Sequence, residues 1–156
     1  IRGRYPVWME DDWLAFTGCD YWLNDRGEMG GSHCGLYRVP SWGGPPAAVD
    51  LSTSEIRATD ERAGQLLVMS RQSGDWEIYL MSAHGGPARN LSRGDGSQDG
   101  LGTFSPDGKS VAFVSDRGGT WAVWVVSVDG SARRKLFDLP APLTEPWTEE
   151  QISWAP

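Results

Sequence analysis

Residues 111–114 put apolar side chains on both faces of one extended segment: Val111 and Phe113 point one way, Ala112 and Val114 the other. A strand that is apolar on both faces belongs in a sheet covered on both sides. It follows Ser105-Pro106-Asp107-Gly108, a tight turn in which Pro106 presets φ, Asp107 bonds locally and Gly108 closes the bend. The pattern then recurs. A shift of 45 residues lays 66–70 on 111–115, Trp76 on Trp121, 78–81 on 123–126, Gly85 on Gly130 and Leu91 on Leu136. A shift of 42 lays 36–39 on 78–81 and Gly43-Gly44-Pro45 on Gly85-Gly86-Pro87, with Val7-Trp8 and 14–17 as the earlier strands of that first copy. Residues 152–156 resemble 103–106 and read as the opening of a fourth copy.

Each copy reads as four short antiparallel strands divided by Gly, Asp, Pro and Ser, and no long 3.6-residue period allows a helix of any length. A β-sandwich has no reason to repeat every 45 to 50 residues, whereas radial repetition of four-stranded sheets does so by construction. The expected architecture is all-β: a β-propeller of three blades, at about 5–53, 54–98 and 99–149, plus the first strand of a fourth at 150–156. That amounts to half, or a fragment, of a roughly six-bladed ring. The outer blades would each leave one apolar face uncovered, involving residues such as Phe16, Tyr37, Phe113 and Trp124 or their neighbours. A second copy, giving a homodimer, or the remainder of a longer propeller chain would close it. The Ser-Pro-Asp-Gly turn followed by Phe113-Val114-Ser115-Asp116-Arg117 resembles the repeat of the TolB-like β-propellers. That resemblance implies a binding platform that uses its loop faces. It also implies an alternative, because similar blades form non-catalytic propeller domains in serine peptidases related to prolyl oligopeptidase and tricorn protease.

Charge and chemistry narrow the classes further. The net charge is −7 over 156 residues, which argues against nucleic acid; the nearest basic run, Arg133-Arg134-Lys135, reads as a solvated edge. No apolar run approaches a membrane helix, so no membrane insertion is expected. With only His33 and His84 and no Gly-x-Ser-x-Gly elbow, no catalytic residue is assigned. Residues 114–121 are similar to the sialidase Asp-box, a structural motif, but depart from it at its first Ser/Thr. Asp95, Ser97 and Asp99 with Gly100 spell the start of a calcium loop. The twelfth position of that loop is Pro106, so a polar linker is the first reading, calcium a weaker one, and no other cofactor or metal is expected.

The first copy carries about ten extra residues between its second and third strands, and Cys19 and Cys34 stand at the two ends of that insertion. The base of a hairpin lies within disulfide range, which favours a bond over two free thiols or a zinc site. A bond implies a periplasmic or extracellular setting, with the cytoplasm as the alternative if the thiols are free. Trp8, Trp76, Trp121, Trp124 and Trp154 occupy repeated positions and read as blade packing; Trp13, Trp22, Trp42 and Trp147 have no counterpart. Strand alternation puts the 19–34 insertion and the 138–148 expansion on one rim, which makes Tyr21, Trp22, Asp25 and Trp147 candidate binding residues; Trp42, also without a counterpart, is a further candidate. The expected function is a non-catalytic scaffold for a protein or peptide partner, with a carbohydrate-binding propeller as a third possibility. The Cys19–Cys34 reading predicts that the non-reduced protein weighs two hydrogens less than the reduced form. Reduction should cost about 3 kcal/mol of stability for a loop of this length. Two free thiols in protein kept in air would overturn it.

Overall fold

A computed structural model describes residues 2–94 and 96–154. Among them, twelve strands form three four-stranded antiparallel sheets, each in chain order. The first blade is β1 (Arg2–Trp8), β2 (Trp13–Leu23), β3 (Met29–Pro40) and β4 (Ala47–Asp50). The second is β5 (Ile56–Arg62), β6 (Gln65–Ser70), β7 (Glu77–Ser82) and β8 (Arg89–Asn90). The third is β9 (Asp99–Phe104), β10 (Ser110–Ser115), β11 (Ala122–Ser127) and β12 (Arg134–Asp138). Outside them stands one 3-10 turn, Trp147–Glu149, and no helix of the described residues is long and apolar enough to cross a membrane.

The two-sided apolar pattern explains why these sheets stack. On β6 and β7, Leu66, Val68, Tyr79 and Met81 pack toward Ala15 and Leu36 of the first blade. Their neighbours Leu67, Met69, Ile78 and Leu80 pack toward Leu101, Val111 and Phe113 of the third. Polar bonds tie neighbouring blades together. Thr17 Oγ1 donates to the Ile56 carbonyl at 2.6 Å, and Asp60 Oδ2 accepts from Thr103 Oγ1 at 3.0 Å and from the Phe104 N–H at 2.7 Å.

The first-blade face turned away from the second is left open. Register puts Trp8, Leu14 and Val39 on it together with the stacked pair Phe16 and Tyr37, whose rings lie 6.0 Å apart. Trp8, expected as packing, is 69% exposed because no sheet lies against it. β1 also starts earlier than expected, pairing Arg2 with Cys19. Of the expected orphan strand at 150–156, residues 150–154 form no ladder among the described residues, and 155–156 lie outside them. A ladder needs a partner, and none lies beside this segment among the described residues. Ile152 nevertheless packs against the third-blade core.

Beneath the junction of the second and third blades, Glu77 is buried. Its carboxylate accepts from the Gly94 N–H at 2.9 Å and from Ser92 Oγ. Burial pushes its pKa above the ordinary carboxylate value, and the bonds from Gly94 and Ser92 pull the other way without reversing the shift. A carboxyl raised on folding favours the fold at low pH and loses that contribution as pH rises through its folded pKa. The stability of the wild type relative to Glu77→Gln should therefore rise as pH falls from 7, and level off below the ordinary value of 4.5. Urea denaturation of both proteins across that range checks it; the opposite slope would mean that the hydrogen bonds outweigh burial.

Candidate binding face

Each innermost strand is interrupted near the axis. In β1 the pairing slips between Arg4 and Val7, in β5 between Ala58 and Asp60, and in β9 opposite Ala112 and Val114. Tyr5 and Leu101 occupy equivalent places in two of these bulges, both left-handed, with φ of 57° and 56°. A bulge re-aims the side chain it carries. Here the bulges border an open axial cavity of about 360 Å³, lined by the three inner strands and by residues 148–153. Arg57 organises its wall: its Nη1 donates to the Thr148 carbonyl at 2.6 Å, and its guanidinium lies 4.2 Å from the centroid of the Tyr5 ring. The Tyr5 hydroxyl donates to Glu149 Oε1 at 3.2 Å.

A second feature stands on the rim. The β2–β3 hairpin runs past its own sheet, because β1 pairs only as far as Cys19 and β4 only as far as Leu36. Beyond that point the two strands continue alone as an arm, with Tyr21 opposite Ser32 and Leu23 opposite Met29. Cys19 and Cys34 face each other at its foot, Cα atoms 4.0 Å apart, and are bonded. At the tip, Asn24 Oδ1 accepts from the backbone of Arg26 and Glu28 at 3.0 Å each, an Asx turn. The rim is shared with the other second-to-third turns and with the connections between blades. The Arg71 N–H donates to the Glu55 carbonyl, the Gln98 N–H to Asp116, and the Leu139 N–H to the Trp121 carbonyl.

The candidate residues separate on this frame. Tyr21, Trp22 and Asp25 come together on the arm, all exposed. Trp22 is 49% exposed, its indole lying where a Cβ at Gly30 would collide with it, so Gly30 is what lets the ring cover its own hairpin. Trp42 stands apart from them on the opposite rim, in a third-to-fourth turn, 72% exposed and edge-on to Trp13 at 6.3 Å. Trp147 is corrected. It is 4% exposed, tilted against Trp121 at 4.9 Å, and a Cβ at Gly100 would sit 2.6 Å from its ring. The 138–148 segment thus packs its aromatic inward, with Leu139 and Leu143 beside it. In the loop considered for calcium, Asp95 lies outside the described residues and Asp99 is bound by Arg117 at 2.6 Å. Among the described residues no group of three His, Cys, Asp or Glu could hold a metal ion.

Sequence reading missed Leu23 and Met29, exposed apolar residues that flank the tip, although both lie inside the insertion it had singled out. It also missed Tyr5 and Arg57, whose roles depend on contacts 144 and 91 residues away respectively, leaving no local signal.

No protein-family model matches the chain. It is 30% identical over 137 residues to an uncharacterised protein of Agrobacterium fabrum, covering 87% of this chain and 46% of that one. It is 47% identical over 77 residues to the Tol-Pal system protein TolB of Anaeromyxobacter dehalogenans, covering 49% of this chain and 17% of that one. A structure described as a TolB from Agrobacterium tumefaciens superposes with a TM-score of 0.68 at 18% identity, over 89% of this chain and 50% of that one. The chain has the fold of the TolB-like β-propellers and resembles TolB in sequence over half its length.

The fold is shared with enzymes. An oligogalacturonate lyase in complex with manganese matches with a TM-score of 0.59 at 15% identity, over 89% of this chain and 42% of that one. A puromycin-hydrolysing peptidase of Mycobacterium tuberculosis matches with a TM-score of 0.57 at 15% identity, over 99% of this chain and 24% of that one. This TolB-like chain spans about half the length of the first curated relative it matches.

Trp147→Ala should destabilise the protein by about 3–5 kcal/mol, as for other large aromatics removed from a core. Trp22→Ala should cost less than about 1 kcal/mol. Chemical denaturation of both variants checks the contrast, and equal losses would show that the arm residue is structural too.

Proposed function

We propose that this chain is a non-catalytic propeller scaffold that holds a protein or peptide partner through the disulfide-footed arm. One observation carries the reading. Tyr21, Trp22, Leu23 and Met29 all remain exposed on a ribbon that extends past its sheet. Aromatic and Met side chains anchored on a braced element are what a partner's pocket can close around. The acidic residues Asp20, Asp25 and Glu28 surround them, which favours a partner with a basic margin around an apolar centre. The Cys19–Cys34 bond supports an oxidising compartment, the periplasm or the exterior. The relative named as a protein of the Tol-Pal system supports a scaffold reading.

A second reading has its own support: the match over 99% of this chain to the puromycin-hydrolysing peptidase favours a propeller that positions substrate for a hydrolase domain elsewhere in a longer chain.

Photo-crosslinking from position 23 in cells, with the partner identified by mass spectrometry, tests the scaffold reading. A Tyr21→Ser/Trp22→Ser double variant should weaken the purified complex by about tenfold or more, the scale of a truncated aromatic anchor, with little change in Tm. Unchanged affinity, or turnover of peptide substrates by the purified chain alone, would overturn the proposal.

A further inference from the structure

On the rim opposite the arm, the same turn joins the third and fourth strands of every blade. The carbonyls of Pro40, Ser82 and Ser127 accept from the N–H groups of Gly43, Gly85 and Gly130, at 3.0, 3.0 and 2.7 Å. All three glycines are left-handed, with φ of 92°, 94° and 86°. The residue just before the glycine is Trp42 in the first blade, His84 in the second and Asp129 in the third. The frame repeats, whereas the side chain it displays does not. Variation on a conserved turn frame is how a propeller rim acquires a site.

Between the first and second blades, four side chains join in one row. Trp42 lies edge-on to Trp13, with centroids 6.3 Å apart and planes inclined at 75°. The Arg38 guanidinium stands 4.5 Å from the centroid of the Trp13 ring, and its Nη1 donates to His84 Nδ1. Trp13 is fixed, because it packs on the core that the two blades share. Trp42 is the most exposed of the large apolar side chains among the described residues, and its turn is fastened by the Ser41 N–H, which donates to the Asp12 carbonyl at 2.8 Å. A lone exposed apolar residue is ordinary, but this indole adjoins a second indole and two hydrogen-bonding side chains.

We propose that this row is a carbohydrate site, in which the flat C–H face of a β-linked pyranose stacks on Trp42 while its hydroxyls accept from Arg38 and His84. The chemistry of the row selects that class. An arginine can only donate, so His84 Nδ1 accepts and the neutral ring keeps its proton on Nε2, a second donor. A cationic ligand is disfavoured because a guanidinium already occupies the face of Trp13. A wholly apolar partner would cover Arg38 and His84 without giving them acceptors, which is costly. A sugar ring offers an apolar face and hydroxyl acceptors together. The site is on the rim away from the arm and does not rest on the arm's proposed role.

Titration of the folded chain with cellohexaose and with chitohexaose, followed by the tryptophan indole resonances and by calorimetry, tests the site. Saturable shifts centred on Trp42 are expected with at least one of the two. Trp42→Ala should weaken that binding about tenfold or more, the scale of a truncated aromatic anchor. His84→Ala should weaken it about fivefold, the effect of one hydrogen bond. Both residues are exposed, so Tm should hold in both variants. The Tyr21→Ser/Trp22→Ser variant should bind the sugar normally, which separates failure here from failure of the arm. No saturable shift with either sugar, binding that survives Trp42→Ala, or a stronger response to a decaproline peptide than to both sugars would overturn the proposal.

Discussion

A sheet that is apolar on both faces has to be covered on both faces, and most of this architecture follows from that. The second blade meets the demand fully: alternate side chains of β6 and β7 enter two different cores, one shared with each neighbour. Stacking three such sheets radially brings their first strands together and sends their turns to two rims. The axial cavity, the interlocked rim connections and the arm are all positions defined by that stacking. The same constraint marks where the structure is unfinished, since the first-blade face carrying Trp8 and Phe16 has no sheet against it.

Polar chemistry is distributed around this frame rather than within it. Between the second and third blades, Ser92 acts as a junction: its hydroxyl accepts the Ile78 N–H and donates to Glu77, while its carbonyl receives Arg117 and Arg133. The buried carboxylates of Glu77 and Asp99 are tolerated there because Ser92 and Gly94 donate to the first and Arg117 to the second.

The fold was largely legible in the sequence because its signals are local and repeated. Two-sided apolar runs, turn residues at fixed offsets and a period near 45 residues each act over a single blade, and the TolB-like resemblance of Ser105 to Arg117 pointed the same way. The arm was legible for a related reason: an insertion is visible against a repeat, and two cysteines at its ends identify a hairpin base. Individual tryptophans were less legible. Lacking a counterpart identified Trp22, Trp42 and Trp147 equally, yet one is on the arm, one on the far rim and one in the core. Their fates depend on glycines facing them and on which rim a turn belongs to, facts of packing that composition does not carry. The axial bulges and Arg57 were invisible because they are settled by strands distant in the chain.

One consequence of the Cys19–Cys34 bond concerns sliding. Past the disulfide the arm is a two-stranded ribbon, an arrangement of marginal stability in water, and its second strand carries Gly30, Gly31 and Ser32, which hold a pairing weakly. If such a ribbon slipped by one residue, each side chain on the displaced strand would turn to the opposite face. Because the bonded cysteines are themselves directly opposed partners, they exclude every offset but one. The bond therefore does more than close a loop: it decides which side of the arm Tyr21 and Leu23 present, and which side Trp22 presents.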